Sequence, residues 1–475
     1  MVVPYWGRAT TEFTFLVNFY NLGGGAPSQS QVVIDGTPQN MILRRGDAAN
    51  GSYQYTTVLS AGSHNYYFDF HYGSGQTARL PESGAFSGPD VEVGAAVLEV
   101  PSEYTSLSAA LARARGEVTV LLAEGYYYEA TPIAIPSDGV WIQGAGIDRT
   151  TIIGDSAGHV LTAEVNARIQ DLTITGGGLS DYFESGLWTT GGQVQVSRVR
   201  FTGNNVGLFS WCFTPDCEAG VDLTNAIFDH NQRVAVDANE YPVHRLVNLT
   251  VASNGRGVVL NNNLSRVENS LVVQNTADGL AAGPNRFPTT RYNDVWGNGV
   301  NYSGLSPGTG DQSFDPRFVS ESEANYQTQI GSLAVDMGDP SPTSRDRDGS
   351  RNDLGAYGGP GSPAYVLSRL FSPLFSRETS FTVSWQGRAA DGVDSFDIQY
   401  RLAGSGVWQD WLSGTTDLSA VFGPVNPIPV MTDEVYCYRS RARDLIGSLE
   451  PYPDQPHACT PVVDKIVYLP IVMKR

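Results

Sequence analysis

Residues 244–263 read HRLVNLTVASNGRGVVLNNN, with valine or leucine at almost every second place and asparagine wherever a turn is due. The phrase recurs: residues 221–231 read VDLTNAIFDHN and residues 265–275 read SRVENSLVVQN. ARIQDLTITGG from 167, VQVSRVRFTGN from 194 and TTRYNDVWGNG from 289 share the frame, so successive copies start 27, 27, 23, 21 and 24 residues apart. A period of about 20 to 30 residues carrying strand-like alternation marks a solenoid. The leucine–asparagine frame of a leucine-rich repeat is missing, and a propeller blade needs about 40 residues. What remains is a parallel β-helix with three short strands per coil.

The asparagines fall into two columns, Asn225, Asn248, Asn269 and Asn293 in one and Asn204, Asn231, Asn254 and Asn275 in the other. Asparagine tolerates the left-handed backbone of a sharp corner. Its side-chain amide also reaches the same residue one coil on, about 4.8 Å away. These residues are therefore read as architecture, not as catalysts.

A chain of 475 residues has room for about three domains of about 150 residues each. The net charge of −19 argues against nucleic acid and other anionic polymers as partners. Lysine is confined to Lys465 and Lys474. The four cysteines form two close pairs, Cys212 with Cys217 and Cys437 with Cys459, a pattern that suits two local disulfides and an oxidising compartment. No run of 18 apolar residues is present to span a bilayer. MVVPYWGRAT does not read as a signal peptide, so the expected export rests on the cysteines.

Outside the repeat the pattern changes. Residues 1–95 alternate in short runs (FTFLVNFY, SQVVIDG, HNYYFDFHYG) between glycine-rich turns, which predicts a small antiparallel β-domain. SEYTSLSAALARARG, 102–116, predicts a helix opening on a capping serine, with Leu107, Ala110, Leu111 and Ala114 on one face. Residues 366–463 hold a second set of strands (SFTVSWQG, SFDIQYRLAG, EVYCYRSRARD), with Trp385, Tyr400 and Tyr438 as core residues. Trp408 and Trp411 are read as packing residues, with sugar stacking as the alternative.

On these residues the chain resembles secreted bacterial proteins built on a right-handed parallel β-helix of the pectate-lyase-like type. The resemblance covers 96–362, with the helix and VTVLLAEGYYYE as the cap of the first coil. The first 95 residues resemble an immunoglobulin-like module, and 366–463 a fibronectin type III module. FDPRFVSESEANYQTQIGSLAVDMGDPSPTSRDRDGSRNDLGAYGG resembles the closing segment of surface-anchored β-helix proteins. The tail 464–475, DKIVYLPIVMKR, resembles an anchoring signal; self-association through that strand and folding back onto its own module are the other readings. The implied fold class is all-β, a right-handed parallel β-helix flanked by two small β-sandwiches. Fold alone does not choose an activity.

The stretch 181–245 combines carboxylates, aromatics and a cysteine-braced loop. With Val234, Val236, Val258 and Leu260 pointing inward, Ser210, Asp237 and Asn261 form an outward column. Asp237, Asp216, Glu218 and Arg245 are then the catalytic candidates, and Trp188, Trp211, Asn261 and Glu240 the carbohydrate-binding ones. Paired carboxylates suit acid–base cleavage of a glycosidic bond; solvated loop charge is the plainer reading of each residue taken singly. The absence of lysine from the repeat region excludes a lysine-base lyase. The Asn-Thr-Asp, Asp-Asp, Gly-His-Gly and Arg-Ile-Lys motifs of polygalacturonan hydrolases on this fold are missing too. A calcium-dependent lyase with Arg233 or Arg245 as base stays open. Asp346, Asp348, Asn352 and Asp353 place oxygens around a glycine turn, which suits calcium, although the twelfth-position glutamate of a calcium loop is missing; a turn of paired charges is the alternative.

Two functions follow as expectations. The first is an exported modular surface protein that uses the β-helix as rod and binding face for extracellular polysaccharide, cell-surface glycan or neighbouring surface proteins. The second is a polysaccharide lyase or glycoside hydrolase acting on the outer face of the β-helix.

Overall fold

Each copy of the repeat lies beside the next in parallel register. Ile142, Ile169, Val196, Leu223, Leu246 and Val267 follow one another across six coils, all pointing into one core. In the parallel column, Val140, Ala167, Val194, Val221 and His244 do the same. Stacking like on like buries every inward side chain between two neighbours, which is why a short repeat with no core of its own becomes stable in series. The result is a right-handed parallel β-helix of about nine coils in a nearly all-β chain. This computed structural model describes the chain apart from residues 4, 5, 10, 22, 93–95, 213–219, 241, 242, 424–429 and 465–475.

Three strand series make the coils. One runs from Ala96–Val100 to Thr289–Arg291 and a second from Gly125–Glu129 to Asp294–Trp296; the long strands Ala167–Thr175 and Gln193–Thr202 belong to both. The third is an eight-stranded sheet from Ile133–Ala134 to Val300–Ser303.

The two corners between series divide the work expected of asparagine. At the first corner Asp171, Arg198, Asn225, Asn248, Asn269 and Tyr292 all take positive φ, between 50° and 56°. Tyr292 holds the place expected for Asn293, which lies one residue on and is buried, accepting from the Ser270 N–H. At the second corner the left-handed residue is the one before the asparagine: Gly203, His230, Ser253, Gln274 and Gly297. That frees Asn204, Asn231, Asn254, Asn275 and Asn298 to form a ladder. Each Nδ2 donates to the Oδ1 of the next, at 3.1, 2.9, 3.0 and 2.8 Å. Each backbone N–H donates to that same oxygen.

The first corner clamps the segment that closes the unit. Asn225 donates to the Ala356 and Gly358 carbonyls, Asn248 to Asp353 and Gly355, and the Asp339 N–H donates to Asn269 Oδ1. At the other end the helix is shorter than expected, Leu107–Leu111, and its capping serine is Ser106. Glu129 accepts from the Leu107 and Ser108 N–H groups and occupies the helix start. Leu107, Ala110, Leu111 and Ala114 close the core of the first coil.

Met1–Pro363 is one compact unit and Ala364–Arg475 another. The first therefore includes the N-terminal strands, two facing sheets that enclose Phe13, Phe15, Phe19, Val32, Phe68 and Phe70. In the second, a three-stranded and a four-stranded antiparallel sheet enclose Val383, Trp385, Ile398, Phe422 and Tyr438. Tyr400 packs at the edge of this core, its hydroxyl donating to Gln409. Trp411 stands edge-on to Phe422, while the Arg401 and Arg439 guanidinium groups both lie over the Trp408 ring.

Cys437 and Cys459 face each other on paired strands and are bonded across 22 residues of chain. Closing a loop of that size restrains the unfolded chain by about 3 kcal/mol. Replacing both with serine is expected to lower the urea midpoint of the second unit's transition while leaving the first unit's transition in place. Unchanged midpoints would remove the disulfide as a source of stability.

Candidate functional site on the outer face of the eight-stranded sheet

The strands of the eight-stranded sheet carry two outward columns. Thr162, Trp188, Phe209, Asp237, Val259 and Ala281 form the first. Trp211, Asn239 and Asn261 form the second, two residues further on. Ser210, expected outward, lies between the columns and is buried. Val234, expected inward, packs outside with Val206, Phe209, Val259 and Ala281. The cause is a slip in alternation: Ala235 and Val236 both belong to the inner core, so the strand reaches the far face one residue late. Asp237 and Asn261 are outward, but in neighbouring columns.

Asn239, which the sequence reading did not single out, connects them. The Gly283 N–H donates to Asn261 Oδ1 at 2.9 Å. Asn261 Nδ2 donates to Asn239 Oδ1, and Asn239 Nδ2 donates to Asp237 Oδ1. Three coils thus pass one run of hydrogen bonds to a single carboxyl group. Tyr182, from the loop after Thr175, adds a side-chain hydrogen bond. Burial pushes the Asp237 carboxyl above the usual carboxylate range; the Asn239 bond, the Arg256 charge and the Tyr182 bond restrain that rise only partly. Arg256 itself is held by Asp278 at 2.7 Å.

Aromatic side chains border this carboxyl. Phe183 stands 5.9 Å from Trp211 and 5.0 Å from Phe209, and Tyr182 meets Phe183 edge-on. Arg233 lies over the Tyr182 ring at 4.8 Å. Two coils before Asp237, His159 stacks on Trp188 at 5.0 Å, and burial lowers its pKa. The loop that delivers Tyr182 and Phe183 is shaped by Glu184, which accepts from the Ser180 and Asp181 N–H groups.

The other expected residues distribute differently. Glu240 ends the Asp237 strand, paired in register with Cys212. Cys212 is disulfide-bonded; Cys217, Asp216 and Glu218 lie outside the described residues. Arg245 does not join Asp237. It belongs to a strand of the first series, Val243–Val247, and pairs with Asp222 at 2.7 Å. One corner separates these two residues, eight apart in sequence, and places them on different sheets.

In the closing segment Asp346 accepts the Asp353 and Gly359 N–H groups, and Asp353 accepts the Asp336 N–H. Asp348 accepts from Ser350, and Asn352 donates to Asn248 and to the Ser344 carbonyl. These oxygens hold backbone in place. Among the described residues no group of three or more His, Cys, Asp or Glu side chains is arranged to hold a metal ion. Among them too, no helix is long and apolar enough to cross a membrane.

The chain matches no family model and no curated protein. Among solved structures it is similar to the A-module of the mannuronan C-5 epimerase AlgE6 from Azotobacter vinelandii, with 17% identity over 46% of this chain and 71% of that one, TM-score 0.34. It is also similar to the catalytic unit of a thermostable α-1,3-glucanase from Streptomyces thermodiastaticus, with 14% identity, 62% of each chain and TM-score 0.26. A third is the pectin methylesterase PemA from Erwinia chrysanthemi, with 12% identity, 51% of this chain, 98% of that one and TM-score 0.24. Scores this low carry no chemistry across; the parallel β-helix of this chain rests on its own strand register.

Proposed function

We propose that this chain is an exported protein whose β-helix binds polysaccharide on the outer face of the eight-stranded sheet. One observation carries the reading: an aromatic border of Phe183, Trp211 and Trp188 beside a run of hydrogen-bonding amides, Asn261 and Asn239, on rigid strands. Aromatic faces stack on the apolar side of a sugar ring while planar amides meet its hydroxyl groups. The disulfide Cys437–Cys459 supports an oxidising compartment. In this reading the N-terminal sandwich and the second unit serve as immunoglobulin-like and fibronectin-like modules, and the tail as an anchor.

The test is a glycan screen that reads binding and product release together, in calcium and in chelator. Binding without product is expected, weakened about tenfold in Trp211→Ala, a loss of about 1.4 kcal/mol. Binding that survives Trp211→Ala and Asn261→Ala unchanged would move the site elsewhere.

A second reading, a lyase or hydrolase, is favoured by the burial of Asp237 at the end of the amide run, since burial raises its pKa, the direction a general acid requires. It requires released reducing ends or unsaturated products that disappear in Asp237→Asn, and an alkaline limb in the wild-type rate, where Asp237 loses its proton.

A further inference from the structure

A second polar face lies on the first strand series, away from Asp237. Trp141, Arg168, Gln195, Asp222 and Arg245 form one outward column there, one residue per coil. Gln143, Gln170, Ser197 and Thr224 form the column beside it. Two cavities open on these columns, of about 540 and 430 Å³, and both are lined by Asp90, Arg168 and Gln195. They are therefore two stretches of one cleft. Its opposite wall at one end is the N-terminal sandwich, through Gly62, Ser63 and Asp90; at the other end it is the closing segment, through Thr343, Pro360 and Gly361. A volume of this size accommodates a small ligand or part of a chain.

The chemistry of the lining narrows the ligand. Three carboxylates, Asp90, Glu117 and Asp222, stand against three guanidinium groups, Arg168, Arg198 and Arg245. Arg245 is paired with Asp222 at 2.7 Å and Arg198 with Asp171 at 2.6 Å. Arg168 faces the Asp90 charge. The cleft thus has no excess of positive charge to hold an anionic polymer, and the whole chain carries −19, which repels one. What it offers is a density of planar donors and acceptors: Asn166, Gln193 and Gln195 are exposed in it. From one coil to the next, Gln193 follows Asn166 and Gln195 follows Arg168, at the coil spacing of about 4.8 Å, close to the rise of one sugar ring in an extended chain. Hydroxyl groups at that interval meet one rung each.

We infer that this cleft is a second glycan site, separate from the Asp237 face, which takes an uncharged oligosaccharide segment lying along the solenoid axis between the sandwich and the coils. The inference does not rest on the Asp237 face, and its test keeps the two apart.

The full chain is titrated calorimetrically with cellohexaose, maltohexaose, laminarihexaose and mannohexaose, and with an oligogalacturonate of equal length. At least one neutral hexaose is expected to bind. Ser63→Trp, which places a ring in the cleft from the sandwich side, and Gln195→Ala, which removes a rung, are each expected to weaken it about tenfold. Trp211→Ala is expected to leave this binding unchanged. Ser63 and Gln195 are both exposed, so neither change disturbs a core. Binding by none of the four neutral sugars overturns the inference. So does binding that is indifferent to Ser63→Trp and Gln195→Ala. Loss in Trp211→Ala alone would assign the ligand to the Asp237 face, and tighter binding of the oligogalacturonate would overturn the neutral assignment.

Discussion

Asn254→Ala is expected to lower the unfolding free energy of the first unit by about 4 kcal/mol, a loss of the size seen when several buried polar groups lose their partners together. Asn254 is buried in the middle of the ladder. Its Nδ2 donates to the Phe228 and Ala252 carbonyls and to Asn275 Oδ1, and its Oδ1 accepts the Asn231 N–H and Asn231 Nδ2. Alanine leaves those partners inside the solenoid with no water to replace the amide. Cooperativity makes the middle rung the most sensitive, because coils on both sides lose a contact at once. Urea unfolding with tryptophan fluorescence reads the change. A loss below about 1 kcal/mol, no more than one ordinary hydrogen bond, would show the ladder to be ornament.

The opposite sign is expected for His244→Val, which should stabilise the first unit, and more so as the pH falls. His244 follows Val194 and Val221 in an inward column and is buried. Among the described residues neither ring nitrogen has a hydrogen-bond partner. Burial lowers its pKa from 6.5 to about 3. A folded-state pKa below the unfolded one means that the unfolded chain takes up the proton first. The folded state therefore loses stability as pH falls through 6.5 toward 3, by about 1.4 kcal/mol per unit at most. Valine removes both the unpaired nitrogens and this proton linkage.

The measured quantity is the difference between variant and parent, because the parent's own profile is flattened by Asp294. That residue is raised by burial to about 7, so its contribution is present at low pH and lost as pH rises through 7. The gain in His244→Val is expected to be smallest at pH 8 and about 2 kcal/mol larger at pH 5. A difference independent of pH would mean that His244 titrates in the folded chain as it does in the unfolded one.

Much of this molecule was legible in the repeat itself. Apolar residues at every second place, returning every 21 to 27 residues, have one economical arrangement: coils stacked with like on like. The two asparagine columns marked both corners, and Leu107, Ala110, Leu111 and Ala114 marked the cap. Alignment by phrase failed where the phrase was ambiguous. TTRYNDVWGNG places Asn293 opposite Asn269 by eye, yet Thr289 pairs with Arg266, which brings Tyr292 to the corner. Reading VAVDAN against VVLNNN from their first valines set Asp237 beside Asn261 and passed over Asn239. Val234 pairs with Arg256 instead, two residues earlier, and Asn239 with Asn261. Two adjacent valines do not say which one points inward.

The sequence by itself determined the period, the corner chemistry, the cap and the disulfide pairing of Cys437 with Cys459, because each depends on residues near in the chain or on a strict repeat. Only the tertiary structure decided which outward side chains share a face. Residues eight apart, such as Asp237 and Arg245, part company when a corner falls between them, while Asn261 is linked to Asp237 through Asn239 because a coil brings position 261 back beside 239. It also decided that Asp90 and Ser63, from a sandwich far upstream, stand opposite Arg168 and Gln195 across a cleft. Packing of one module against another leaves no period in the sequence, since the contact is made once, by side chains whose spacing follows the shapes of two finished surfaces.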